Sequence, residues 1–210
     1  MSELDFYLKV LKALDQIDAP YMIVGAFAGY AFGLTRVTLD IDILVELREE
    51  HYDVLAELFP LPRYYADPGM MRNSTQMGIM FNLIDTEEGV KADLVPLTRE
   101  PEYRIAFNRR IRRIFKDASG DTFEAMCAQP TDIIIGKLKA WTEGQSNKHP
   151  QDIFKLVVFY LSGLSDIPID IDNVTSEAKK MGESAATLWR DIVTRAKREV
   201  MQHEEEAKNG

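Results

Sequence analysis

The sequence predicts a mixed α/β protein, with a sheet in the first part of the chain and helices in the last. Four short runs have the β-branched and apolar composition of strands: 21–24, 38–45, 77–84 and 90–95. Apolar residues recur at helical spacing over three longer stretches: 5–18, 48–58 and 130–164. Together they predict a mixed sheet with helices packed on it, followed by a helical segment.

The first elements are separated by clear stop signals. Pro20 ends the first helix and Pro60 follows the second, because proline cannot continue a helix. Between them, Gly25 separates a strand from a short helix, and the strand 38–45 comes next. We therefore expect the order helix, strand, short helix, strand, helix.

The later elements are read in the same way. An Asp-Pro-Gly sequence inside 64–75 predicts a flexible loop, and the polar turn 85–89 joins two strands. The stretch 108–115 alternates imperfectly, as an exposed strand would, and a turn at 166–172 leads to one final helix. The domains expected are a core at 1–125, a helical subdomain at 126–205 and a frayed tail at 204–210.

Composition narrows the class of protein. With 210 residues and 46% hydrophobic content the chain can bury a full core, and it has no apolar run of membrane-spanning length. A single cysteine, Cys127, excludes an internal disulfide framework and indicates a reducing, cytoplasmic setting in which it serves packing. A net charge of −9 argues against a surface coated for nucleic acid.

Two carboxylates on one strand are the most informative feature. Because side chains of a strand alternate, Thr38, Asp40 and Asp42 share one face of the strand 38–45. Carboxylates at this spacing repel each other, and a divalent cation such as Mg²⁺ or Mn²⁺ would remove the repulsion. The alternative is an exposed edge strand with an acidic solvent face.

Thirteen residues separate Gly25 and Ala26 from Asp40. A glycine there would let a phosphate approach the start of the following helix, although it could also serve only the turn. Gly25-Ala26 followed by Asp40-x-Asp42 resembles the signature of the DNA polymerase β-like nucleotidyltransferase superfamily. The resemblance implies a minimal nucleotidyltransferase core, a mixed α/β fold.

The resemblance implies a third carboxylate, and Asp93 is the candidate. It lies in the strand 90–95 among apolar neighbours, an awkward place for a carboxylate without a partner. Three carboxylates on neighbouring strands can hold two metal ions about 3.5–4 Å apart, an arrangement suited to phosphoryl transfer. The alternative for Asp93 is an ordinary outward-facing strand residue.

Further segments resemble the AbiEii-type branch of that superfamily. The block from Gly33 through Arg36 and Thr38 to Asp42 matches its pattern, as do the helix that carries Lys137 and the segment before Asp152. The match covers roughly residues 20–160. The chain departs from the pattern where Ala26 replaces glycine or serine, where Gln151 replaces lysine, and where Phe154-Lys155 replaces an expected aspartate.

The resemblance implies a role for each of these residues. Asp40, Asp42 and Asp93 would hold the metal ions, and Asp93 would also accept the proton of the acceptor. The nucleotide, such as ATP, would be bound by a second group: Gly25, Ala26, Arg36, Thr38, Lys137 and Asp152. Asp152 would orient Lys137 or Arg36, while a plain surface lysine is the alternative for Lys137.

The implied reaction moves a nucleoside monophosphate from a nucleoside triphosphate to an acceptor hydroxyl and releases pyrophosphate. The resemblance implies tRNA or another RNA as acceptor and a cognate antitoxin as partner; an aminoglycoside-like small molecule is an alternative acceptor. Two alternatives to catalysis stay open. They are a nucleotide-binding or interaction module without turnover, and a purely structural metal site.

A basic cluster runs against the acidic balance of the chain. It lies within one short stretch: Arg104, Arg109, Arg110, Arg112, Arg113 and Lys116. Arginine forks match phosphate oxygens, so the cluster could hold triphosphate or RNA backbone. It could equally pair with Asp117, Asp121 and Glu124.

Overall fold

A computed structural model describes residues 3–35, 40–98, 103–116, 120 and 122–209. One seven-stranded sheet holds the strands of this described part, in the order β3-β4-β5-β2-β1-β7-β6. The strands are β1 Tyr21–Ile23, β2 Ile41–Val45, β3 Tyr64–Tyr65, β4 Phe81–Asp85, β5 Val90–Pro96, β6 Ile111–Lys116 and β7 Thr122–Cys127. The pairs β2/β5 and β1/β7 are parallel and the other pairs are antiparallel, which confirms the predicted mixed α/β class.

The helices of the described part precede, separate and follow the strands. They are α1 Glu3–Gln16, α2 Gly25–Gly29, α3 Glu49–Leu58, α4 Pro68–Met77, α5 Tyr103–Asn108, α6 Pro130–Gly144, α7 Lys148–Leu161, α8 Ile171–Met181 and α9 Glu183–Asn209, with a 3₁₀ turn at Tyr30–Phe32. None of them, within the described residues, combines the length and the apolar character that crossing a membrane requires.

The chain divides into two units. The first contains residues 1–27 and 37–128, and the second contains 28–36 and 129–210. The later boundary between the units follows residue 128, and the second unit also takes in a short stretch from the first part of the chain.

In the first unit the apolar side of α1 is buried, and α1 contacts β5. Phe6 of α1 stacks on Tyr64 with ring centroids 6.1 Å apart, and Phe59 meets both rings edge-on. Aromatic pairs of this kind bury large areas and fix the element that carries them. At the end of β4, buried Asp85 accepts hydrogen bonds from the Arg63 guanidinium and from the backbone amides of Glu87 and Glu88. Burial raises the pKa of this carboxyl, but the hydrogen bonds outweigh burial and the pKa is lowered.

The second unit is a set of packed helices. Helices α7 and α9 lie against each other, as do α6 and α7, and α8 and α9. The Trp189 indole donates a 2.9 Å hydrogen bond to the Thr175 hydroxyl and so links α9 to α8. Gly33 has φ +85, and a Cβ there would lie 2.4 Å from the ring of Phe159 in α7.

The structure corrects several predicted elements. The loop predicted at 64–75 is wrong: it contains β3 and most of α4, and the strand predicted from 77 begins only at Phe81. The stretch 130–164 is helical as predicted and consists of two helices, with a break at Gln145, which has φ 51. The one final helix predicted is two helices, interrupted at Gly182 with φ 120. The tail predicted to fray from 204 is helical through Asn209.

Candidate functional site

Strands β2 and β5 bring two of the predicted carboxylates together. They run parallel, and Asp42 is the register partner of Asp93. Neighbouring strands lie about 4.8 Å apart, and paired residues point to the same face of the sheet. Asp42 is half-buried, whereas Asp93 is 6% exposed, so the predicted outward-facing alternative for Asp93 is wrong.

Asp93 is held by two further side chains of the same face. Asn82 of β4 is its register partner on the other side and donates its amide to Asp93 Oδ1. Lys91 lies two residues earlier in β5, and its Nζ donates to both carboxylate oxygens, at 2.7 Å to Oδ1 and 2.8 Å to Oδ2. A buried carboxylate is thereby paired and hydrogen-bonded, as burial of a charge requires.

Gly25 lies directly against Asp42. The amide of Val24 donates to the Asp42 carbonyl at 2.9 Å, and Gly25 then turns the chain with φ +66 into α2. A Cβ at position 25 would lie 2.6 Å from Asp42 Oδ2. Only glycine fits both the left-handed backbone and the close approach of the carboxylate, so the glycine does more than make a turn. Ala26 follows as the second residue of α2.

Asp40 immediately precedes β2 and is exposed. Within the described ranges, no three aspartate, glutamate, histidine or cysteine side chains gather closely enough to hold a metal ion. The in-register pair of Asp42 and Asp93 nevertheless fits Mg²⁺, which proteins usually bind through one or two carboxylates while water and substrate phosphates supply the other ligands.

Lys137 and Asp152 meet inside the second unit. Nζ of Lys137 on α6 lies 2.7 Å from Oδ2 of Asp152 on α7, and the two residues are 5% and 1% exposed. Lys137 is therefore not a surface lysine, and Asp152 is an ion-pair partner of its ammonium. Such a pair joins α6 to α7, because each buried charge depends on the other.

Two predicted nucleotide-binding residues, Arg36 and Thr38, lie outside the described residues, as does Leu39 of the predicted strand 38–45. Sequence reasoning missed Asn82 and Lys91. Lys91 could have been found from the two-residue period of β5, which places it on the face of Asp93. Asn82 could not, because its position depends on the register of β4 against β5.

The basic cluster is divided among different elements. Arg104 of α5 bonds Glu46 at 2.6 Å, and Arg112 of β6 lies 3.5 Å from Glu124 of β7, one of the predicted pairings. Asp117 and Asp121 lie outside the described residues.

Cys127 is fully buried in β7, and burial raises the pKa of its thiol to about 12. A thiol with so high a pKa is not ionised at neutral pH, which agrees with its predicted role in packing.

No protein-family model matches the chain, and no curated protein does. Among solved structures, an antigenic nucleotidyltransferase-like protein from Paracoccidioides brasiliensis is similar with 16% identity and a TM-score of 0.49, over 74% of this chain and 75% of that one. The antibiotic-resistance factor ANT(2'')-Ia is similar with 14% identity and a TM-score of 0.45, over 97% of both chains. The structure of ANT(2'')-Ia in complex with adenylyl-2''-tobramycin is similar with 15% identity and a TM-score of 0.46, over 93% of this chain and 99% of that one. These likenesses are too distant to assign an activity to this chain.

Proposed function

We propose that the protein is a metal-dependent nucleotidyltransferase. It would transfer a nucleoside monophosphate from a nucleoside triphosphate to an acceptor hydroxyl and release pyrophosphate. The observation that carries the proposal is the in-register pair of Asp42 and Asp93, with Gly25 packed against the Asp42 carboxylate. Two carboxylates side by side beside a glycine that opens a helix suit a cation together with a phosphate chain.

Asp42 and Asp93 would hold Mg²⁺ or Mn²⁺. Asp40, the expected third ligand, lies just before β2 but does not gather with them into a group of three among the described residues. The bound cation would neutralise the phosphates and stabilise the leaving pyrophosphate. Asp93 would accept the proton of the attacking hydroxyl. Catalysis would come mainly from positioning and from charge neutralisation.

The nucleotide would be bound from several elements. Gly25 and Ala26, at the start of α2, are proposed to face the phosphates, and Arg36 and Thr38 are proposed to contact the nucleotide. Lys137 and Asp152 are the other residues proposed to bind nucleotide, and inside the second unit they form a buried ion pair.

The acceptor we propose is RNA, with tRNA as the first candidate, in a cytoplasmic toxin–antitoxin pair. This part rests on the AbiEii-type sequence pattern around Arg36 and Lys137. An aminoglycoside-like small molecule would use the same carboxylates, so the transfer assay includes one.

A specific observation favours a second candidate, a nucleotide-binding module without turnover. The Lys91 ammonium occupies both oxygens of Asp93, the residue that a catalytic cation needs. Product formation separates the two candidates, since only an enzyme releases pyrophosphate.

The test measures thermal unfolding of the full chain with each of the four common ribonucleoside triphosphates, with and without Mg²⁺. A ligand bound only by the folded state stabilises it by about 2.7 kcal/mol at a hundredfold excess over its dissociation constant. We expect one or more triphosphates to stabilise the wild type in a Mg²⁺-dependent manner. Transfer of the labelled α-phosphate to total tRNA or to an aminoglycoside then identifies the acceptor.

Asp42→Asn should abolish the stabilisation by nucleotide. Asp53→Asn is the matched control, because it removes the same charge from an exposed position on α3 of the same unit. If no triphosphate shifts the unfolding of the wild type, or if Asp42→Asn responds like Asp53→Asn, the proposal is wrong.

A further inference from the structure

Lys91 and Asp93 form an ion pair on the face of β5 that carries the candidate site. Both oxygens of Asp93 accept from Lys91 Nζ, at 2.7 Å and 2.8 Å, while Asn82 donates to Oδ1 from the other side. The carboxylate of Asp93 is 8% exposed but the side chain of Lys91 is 47% exposed. The lysine therefore covers Asp93 from the solvent side, where an incoming cation would arrive.

A divalent cation and the ammonium cannot both bind these oxygens. Mg²⁺ binds carboxylate oxygen at about 2.0–2.1 Å, so a cation on Asp93 would come within a few ångströms of Nζ. Two positive charges at that distance repel strongly in a half-buried site. Because Lys91 is long and half-exposed, it can turn toward solvent while Asp93 stays in place.

We propose that Lys91 is a tethered counter-ion that holds Asp93 until a divalent cation displaces it, and then binds a phosphate of the nucleotide. This inference rests on the proposed function and adds a positioning residue to it. Displacement leaves the ammonium on the same face of the sheet as Asp42 and Asp93, because positions 91 and 93 share that face. A released ammonium with three donors suits a phosphate oxygen.

The proposal predicts opposite effects on two ligands when the charge of Lys91 is removed. Metal alone should bind more tightly, since no ammonium has to be displaced. Nucleotide in the presence of metal should bind more weakly, since a phosphate contact is lost. A merely structural lysine would weaken both or change neither.

The experiment titrates the full chain with Mn²⁺ and follows free Mn²⁺ by electron paramagnetic resonance, with no nucleotide present. We expect Lys91→Met to bind Mn²⁺ about two- to fivefold more tightly than the wild type, the range of a partly exposed ion pair. Lys91→Arg keeps the charge and should stay within about twofold of the wild type. Lys12→Met, an exposed lysine of α1, controls for the change in net charge.

The same variants are then titrated with the triphosphate at saturating Mn²⁺, and Lys91→Met should bind it about tenfold more weakly. Unfolding of each variant by heat checks that it is folded. If Lys91→Met binds Mn²⁺ no better than Lys12→Met while the wild type binds and Asp93→Asn does not, the counter-ion role is wrong and the proposed function stands. If the wild type binds neither Mn²⁺ nor nucleotide, both are wrong.

Discussion

A side chain at position 25 would collide with the carboxylate of Asp42. Gly25 has φ +66, which L residues rarely adopt, and its missing Cβ leaves the 2.6 Å approach of Asp42 Oδ2 possible. Two separate requirements, one of the backbone and one of the contact, therefore fall on one residue. A variant at position 25 tests both, and a second glycine of the chain separates them.

Gly25→Ala should destabilise the protein and remove its response to nucleotide. The left-handed backbone costs an L residue about 1–2 kcal/mol, and displacement of Asp42 should add about 1–3 kcal/mol, as for other overpacked sites. Urea unfolding gives the loss of stability, and thermal unfolding with triphosphate and Mg²⁺ gives the loss of binding.

Gly89→Ala is the control for the backbone requirement alone. Gly89 has φ +68, nearly that of Gly25, but a Cβ there would meet nothing within 4 Å. This variant should lose only the backbone contribution and keep the full response to nucleotide. Equal losses of stability in the two variants would contradict the contact between position 25 and Asp42.

Single residues of the site differ in how far the sequence predicts them. Asp42 and Asp93 were predicted because apolar neighbours make a carboxylate conspicuous in a strand, and the register of β2 against β5 brings them together. Lys91 sits among the same apolar residues, yet an exposed lysine near a strand end is ordinary in any sheet. The two-residue period of β5 places it on the face of Asp93, but its contact with both carboxylate oxygens also depends on a side-chain conformation that the period does not encode.

At the scale of elements, helix α4 shows why a sequence pattern can be misread. Asp-Pro-Gly predicts a turn, but the same residues make a helix start when aspartate caps and proline takes the first helical position. Asp67 accepts from the Met70 amide, Pro68 begins α4, and Gly78 ends it in the left-handed conformation. The two meanings of Asp-Pro-Gly differ only in whether the next residues continue as a helix, and the tripeptide alone does not decide between them.

Asp67→Ala should destabilise α4. Loss of the cap leaves the Met70 amide without its acceptor, which costs about 1 kcal/mol. Asp67→Ser is the matched control, because serine caps a helix nearly as well as aspartate. This variant should lose only about a few tenths of a kcal/mol of stability. The measurement is the midpoint of urea unfolding; a loss of stability that is the same in both variants would show that the cap is not the cause.

The interruptions in the helical part were missed for a related reason. Apolar residues keep helical spacing across Gly182, so periodicity alone predicts an unbroken helix there, whereas no apolar residue lies between Trp141 and Ile153. What ends each helix is a single residue with positive φ, φ 51 at Gln145 and φ 120 at Gly182. Glycine at position 182 is a stop signal that could have been weighed, and so are Gly144 and Pro150 on either side of the break at Gln145.

Charge is the property that belongs to the whole molecule. Aspartate and glutamate number 34 against 25 lysines and arginines, for a net charge of −9. Several acidic side chains are paired with a cation, among them Glu46 with Arg104 and Glu124 with Arg112, but these pairs are exposed and stabilise little. The excess of negative charge therefore opposes folding through self-repulsion.

Salt should consequently stabilise the protein at neutral pH. Raising the concentration of KCl from 10 to 150 mM shortens the screening length from about 30 Å to about 8 Å. This weakens the repulsion in the folded state more than in the expanded unfolded chain, and it weakens the exposed ion pairs as well. Because the net charge is large and each exposed pair contributes little, we expect a net gain of roughly 1–2 kcal/mol at pH 7, measured by urea unfolding.

The matched control is the same salt series near pH 4.9, the isoelectric point, where the net charge is close to zero. Without an excess of one sign, only the loss of ion pairs remains, so salt should leave stability unchanged or lower it slightly. A gain of equal size at both pH values would mean that salt acts by ion binding or by general exclusion from the surface, and the self-repulsion argument would fail.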